Sequence, residues 1–289
     1  MPGFGTDERA PYGVALEIEY DGADFSGWQQ QHGLRTVQGE LTQAVQTMSG
    51  SDDVVRGASR TDAGVHALGQ VVAFDAMRPI SLDGWVRGLN TRLPRDIAVR
   101  RAWFVDAGYQ PRFDSEEKTY RYVFDLGAVR SPLLRHRAWF VGRARCHPKL
   151  RRHPHDIAAN LVDMEAIHAA CRVLEGTHDF RSFQSANDPR ENTVRTLHAI
   201  GIETPFAGES RLMAMTVRGN SFLQHMVRIL AGTLLEVGRG RMTPSHVRDL
   251  LETHLDRTVA GETAPPHGLY LVKIRQRSRA QADLAPPPA

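Results

Sequence analysis

The sequence predicts an α+β protein of two domains, on three observations. Strand-like stretches alternate apolar and polar residues, as at Val14, Leu16, Ile18 and Tyr20. Capped stretches of helical period lie between them, and in the first half the order is strand, helix, strand, strand, helix, strand. Turn chemistry separates the elements: Asp21-Gly22, then Asp62-Ala63-Gly64, then Leu93-Pro94.

The first strand spans residues 13–20. Thr36 caps a helix with apolar positions Val37, Leu41, Ala44, Val45 and Met48. Strand, loop and strand take residues 54–75, with Asp62 in the loop. Ser81 caps a helix through Leu89, with Trp85, Val86 and Leu89 on its apolar side, stopped by Leu93-Pro94. Ile97 to Val105 is a strand. This order predicts a ferredoxin-like domain with helices on one sheet face.

In the second half, Thr119 to Leu126 alternates, with Tyr120, Tyr122 and Phe124 on one face. Asp163 opens a helix bearing Ile167, Ala170, Cys171 and Leu174. Phe180 to Asn192 reads as a polar loop, and 194–203 with 211–218 as a strand pair. A strong helix is expected over 222–237, striped by Met226, Ile229, Leu230, Leu234 and Val237. Arg228 lies on its other side beside Ala231 and Gly232, where a buried charge would need an anionic partner. A short helix at 244–251 and a last strand at 268–274 complete the chain.

The expected organisation is a flexible N-terminus over 1–12 and an N-terminal domain over 13–112. A C-terminal domain follows over 113–275, carrying a basic insert near 142–155, and then a disordered tail over 276–289. No apolar run reaches the length of about 18 residues needed to cross a membrane, and Met1 to Pro11 has no signal-peptide pattern. Cys146 and Cys171 have no metal or redox spacing, so a cytoplasmic location is expected. Cys146, His147, His153 and His155 fit no zinc pattern either. The net charge is +3, and all but Lys118, Lys149 and Lys273 of the 36 Lys and Arg residues are arginine. Arginine forks suit phosphates and stack on bases.

The stretch from Gly57 to Ala67 carries the chemistry. Asp62 stands at a tight turn with Arg60 and His66 close in sequence, able to hold or tune the carboxylate. An ordinary turn in a hairpin uses the same residue types. A hydrolase built on Ser59, Asp62 and His66 lacks a nucleophile elbow.

The run Ser59-Arg60-Thr61-Asp62-Ala63-Gly64-Val65-His66-Ala67 closely resembles the active-site stretch of the bacterial tRNA pseudouridine synthase A family. Further matches follow in order: Ile18 to Gly22, Phe25 to Gln29, Thr36 to Gln38, Leu93 to Ile97, Phe113 to Ser115, Lys118 to Tyr122, His178 to Phe180, His225 to Arg228 and Gly268 to Val272. The resemblance covers roughly residues 13 to 275. It departs at Ala58-Ser59, where the family usually has Ala-Gly, and at Gln224, where it often has histidine.

The resemblance implies the pseudouridine synthase fold, with two antiparallel-sheet domains, ferredoxin- or RRM-like, meeting at a central cleft that holds Asp62. It implies an isomerase that converts uridine to pseudouridine in the anticodon stem-loop of tRNA, with no cofactor and no metal. Asp62 is the implied nucleophile, with Arg60 and Arg228 as catalytic partners and Arg228 pairing with the aspartate. Tyr120 packs against the target base, and Leu269 and His66 complete the substrate pocket. tRNA and a second copy of the chain are the implied partners. A synthase acting on a different RNA site and a non-catalytic RNA-binding protein are the alternatives; the second predicts loss of Asp62 or Tyr120, and both are present.

Overall fold

The structure is a computed structural model and describes residues 12–50, 52–142, 162–253 and 256–277. The chain divides into two compact units. One holds the described residues of 1–63, 67–116 and 274–289; the other holds those of 64–66 and 117–273. The body of the basic insert and the tail beyond residue 277 lie outside the described residues, as do residues 1–11.

In the first unit, strand β1 (Tyr12–Tyr20) is followed by helix α1 (Val37–Ser49), strand β2 (Arg56–Gly57) and all but the first residue of strand β3 (His66–Ala76). Helix α2 (Leu82–Asn90) and strand β4 (Ile97–Val105) follow. The sheet order is β4-β1-β3-β2 with every pair antiparallel, as a ferredoxin-like βαββαβ unit requires. Val14, Leu16 and Ile18 are wholly buried, as the alternation predicts, and Ala15 between them is buried as well. Thr36 and Ser81 cap their helices, accepting from the backbone N–H of Gly39 and Gly84. The Trp85 ring of α2 packs edge-on against Phe74 of β3, at 5.0 Å between centroids. Helix α2 ends at Asn90, one residue past the expected Leu89. The Asn90 side chain ties this end to β4: its amide donates to Val99 O and its oxygen accepts from Val99 N, both at 2.9 Å.

The second unit holds most of strand β5 (Ser115–Asp125), β6 (Trp139–Phe140), helix α3 (Met164–Leu174), and strands β7 (Gly176–Asp179), β8 (Val194–Glu203) and β9 (Leu212–Gly219). Helices α4 (Met226–Gly238) and α5 (Pro244–Glu252) and most of strand β10 (Leu269–Gln276) complete it. Its sheet order is β10-β5-β9-β8-β7, with β6 joining β5 in parallel. Strand β10 runs to Gln276, two residues past the expected end. Gln276 Nε2 donates to Pro111 O, and Arg277 N to Asp114 O, so the first residues assigned to the tail are tied down.

Helix α4 departs from expectation in two ways. It begins at Met226, not at Phe222, because His225 takes a left-handed backbone (φ 62°) that cannot continue a right-handed helix. It is also buried beyond its predicted stripe, with Ala231, Gly232, Thr233 and Leu235 inside as well. The backbone of residues 261–262 lies directly on Gly232, where a Cβ would strike the carbonyl oxygen of Glu262. Gly261 N donates to Thr233 Oγ1 at 3.0 Å in the same contact. Gly232→Ala is therefore expected to destabilise the protein by about 2 kcal/mol, because neither backbone can yield cheaply. Urea unfolding of the variant checks this, and an unchanged midpoint would show the contact to be soft.

Candidate active site

Asp62 stands in the loop between β2 and β3, and the first unit grips that loop on several sides. Trp28 N donates to Thr61 O at 3.0 Å. The Thr61 hydroxyl meets the Tyr20 hydroxyl at 2.7 Å. The Gln70 side chain brackets Ser59, donating to its carbonyl at 2.6 Å and accepting from its N–H at 3.2 Å. Gly27 adopts φ 92°, and a Cβ there would come within 2.9 Å of Thr61 O. Ala58, Ser59 and Thr61 are buried, Asp62 is half-buried and Arg60 is exposed. The result is a carboxylate at the edge of solvent on an immobilised backbone, the form a reacting group needs.

The next residues belong to the second unit. Gly64 has φ 78°, and a side chain there would also press on Pro266. His66 is 1% exposed and stacks on Tyr270 at 4.7 Å. Its Nε2–H donates to the carbonyl of His136 at 2.7 Å and lies 3.2 Å from that of His267, which settles the proton on this nitrogen. That ring nitrogen is committed to backbone carbonyls. Burial lowers the His267 pKa, a bond to Ala138 backbone opposes this, and His136, His66 and Arg228 lower it further.

The second unit brings Arg228 and Leu269 together through one segment. Arg228 Nε on α4 donates to Ala264 O at 2.7 Å, and Ala264 N donates back to Arg228 O at 3.2 Å. Tyr122 on β5 donates its hydroxyl to Pro265 O at 2.8 Å, and its ring lies against Gly268. Burial lifts the Tyr122 phenol well above its usual range, with Arg228 opposing and Glu262 adding. Held from helix and strand, residues 264–268 deliver Leu269, which is buried, to the start of β10. Tyr120 lies two residues before Tyr122 on the same strand face, buried and edge-on to Phe222 at 5.1 Å. Asp62 and Arg60 belong to the first unit, whereas Tyr120, His66, Arg228 and Leu269 belong to the second.

One cluster escaped the sequence reading, which placed Phe222 in a helix and residues 180–192 in a plain loop. Asp188 accepts from Arg190 Nε at 2.8 Å and Nη2 at 2.6 Å, and from the backbone N–H of Gln224 at 2.8 Å. Burial alone would raise the Asp188 pKa, but these donors outweigh it and hold the pKa at about 2. Its folded value thus lies below the unfolded value of about 3.9. The stabilisation is complete above the unfolded value and is lost as pH falls towards the folded one. Wild type is therefore expected to lose more stability than Asp188→Asn between about pH 5 and about pH 2. Urea titrations at both pH values test this, and equal losses would contradict it. The only signal in the sequence was the turn-forming Asp188-Pro189 pair.

Among the described residues, no group of three or more His, Cys, Asp or Glu is arranged to hold a metal, and no helix is long and apolar enough to cross a membrane. Cys146, His147, His153 and His155 lie outside them.

Comparison with known proteins decides the family. The family described as tRNA pseudouridine synthase matches residues 17–114 and 170–275. The chain belongs to the tRNA pseudouridine synthase family. The synthase is 40% identical over 262 residues to tRNA pseudouridine synthase A of Chloroflexus aurantiacus, covering 91% of this chain and 88% of that one. Its identity to the protein of the same name from Geobacter sp. strain M21 is 39%, over 90% and 97% of the two chains. For that of Brevibacillus brevis it is 41%, over 89% and 96%. The matched ranges of this synthase include Asp62, Tyr120 excepted, and run on through Arg228 and Leu269.

Proposed function

We propose that the protein isomerises uridine to pseudouridine in the anticodon stem-loop of tRNA, with Asp62 as the nucleophile. The observation that carries the reading is the gripped loop: Asp62 sits at its tip while Thr61 and Ser59 are fixed by Trp28, Tyr20 and Gln70. The chemistry breaks the C1′–N1 bond, rotates the uracil and joins C5 to C1′. C5 loses a proton and N1 gains one, so reactant and product have the same atoms and no redox partner is called for. An ionised carboxylate serves as the nucleophile. Arg228 is its counter-charge in this reading, and the exposed Arg60 meets the RNA. Tyr120 and Leu269 receive the uracil after it leaves the stack, and His66 supports the pocket through the second unit.

The protein works in the cytoplasm as a homodimer in this reading. Sedimentation showing only monomer at micromolar concentration would count against the dimer. Release of tritium from C5-labelled uridine tests the activity, with tRNAs carrying or lacking anticodon-stem uridines. Release from both alike points to a different RNA site, and binding without release points to a non-catalytic RNA-binding protein. Arginines such as the exposed Arg135 and Arg137 meet phosphates, so tRNA affinity is expected to fall steeply as salt rises. A flat salt dependence of the dissociation constant would exclude them from the contact.

A further inference from the structure

We propose that Asp188 and Arg190 are positioning residues for Tyr120, acting through Phe222; the inference rests on the reading of Tyr120 as the side chain that meets the target base. Phe222 lies in the stretch between β9 and α4, which has no regular structure to hold it. Its ring nevertheless stands edge-on to Tyr120, at 81° between planes. Three hydrogen bonds from one loop fix this stretch. Arg190 Nη1 donates to Phe222 O at 3.0 Å, Gln224 N donates to Asp188 Oδ2 at 2.8 Å, and Ser185 N donates to Gln224 O at 3.1 Å. The loop is closed on itself, because Gln184 Nε2 donates to the carbonyls of Asp188 and Arg190.

The clamp is asymmetric. The Asp188 side chain is 2% exposed and that of Arg190 40%. The acid is locked inside, and the planar fork of the arginine transmits its position to Phe222 O. Asparagine at 188 keeps the shape but lacks the charge and brings an N–H₂ towards donors. Lysine at 190 keeps the charge but cannot bridge Asp188 and Phe222 in one plane.

The test uses the full chain carrying 3-fluorotyrosine, whose six tyrosines give fluorine resonances; Tyr120→Phe assigns one of them. In Asp188→Asn the Tyr120 resonance is expected to shift or broaden. The kcat on tRNA is expected to fall about tenfold, because a displaced ring misaligns the base, with the tRNA dissociation constant unchanged within about twofold. Arg190→Lys falls between wild type and Asp188→Asn. Adding Phe222→Leu to Asp188→Asn costs nothing further, since both act along one path. An unmoved Tyr120 resonance, losses that multiply, or a change confined to the dissociation constant would overturn the proposal. Arg190→Lys keeps the test open if Asp188→Asn fails to fold. A wild type that releases no tritium sinks the functional reading instead, while the fluorine spectra still report whether the clamp holds Tyr120.

Discussion

Asp62→Ala is expected to make no pseudouridine while binding tRNA within a few fold of wild type. The grip on the loop uses the backbone of Ser59 and Thr61 and the Thr61 hydroxyl, none of which the substitution touches. The loop should keep its shape, so a loss of turnover would report the carboxylate itself and not a collapsed site. Asp62→Asn is the sharper version, because it preserves volume while removing the negative charge and exchanging one acceptor oxygen for an N–H₂. An amide is too weak a nucleophile for this chemistry. Single-turnover tritium release checks both variants, with filter binding of tRNA and thermal unfolding alongside. Turnover in either one above the background of heat-killed protein would sink the assignment of Asp62.

Arg228→Ala is expected to lose most of the activity, and Arg228→Lys to keep part of it. Two properties are at stake. The guanidinium carries a fixed charge that lysine retains, and it has a planar fork, lost in lysine, that presents Nε to Ala264 O. Alanine removes both and also leaves the Ala264 carbonyl short of a donor, a loss of about 1 kcal/mol. The segment that delivers Leu269 then loses one side-chain attachment, while the bond from Ala264 N to the backbone carbonyl of residue 228 and the contacts of Tyr122 and His66 remain. Comparing kcat with thermal stability separates the effects. A large drop in kcat with a small drop in stability assigns Arg228 to the chemistry, whereas full activity in the alanine variant would remove it from the site.

Much of this protein was legible in its sequence because the relevant forces act over a few residues. A side chain that caps a helix bonds an N–H three positions on, so Thr36, Ser81 and Asp163 declared their helices. Alternating apolar and polar residues marked β1 and β5, and the turn residues around Asp62 marked the loop between β2 and β3. The run from Ser59 to Ala67 and its companions, spread along the chain, identified the family. Other features depend on residues far apart in the chain, and only the tertiary structure decided them. The turn before α4 is held by Asp188, 36 residues from Gln224, and the helix begins only after the left-handed His225. The extra burial of α4 comes from a backbone that docks on Gly232 from 261–262. His66 joins the second unit although Asp62, four residues earlier, belongs to the first. Hydrogen bonds between distant residues form only once packing has brought them together, so no local pattern encodes them.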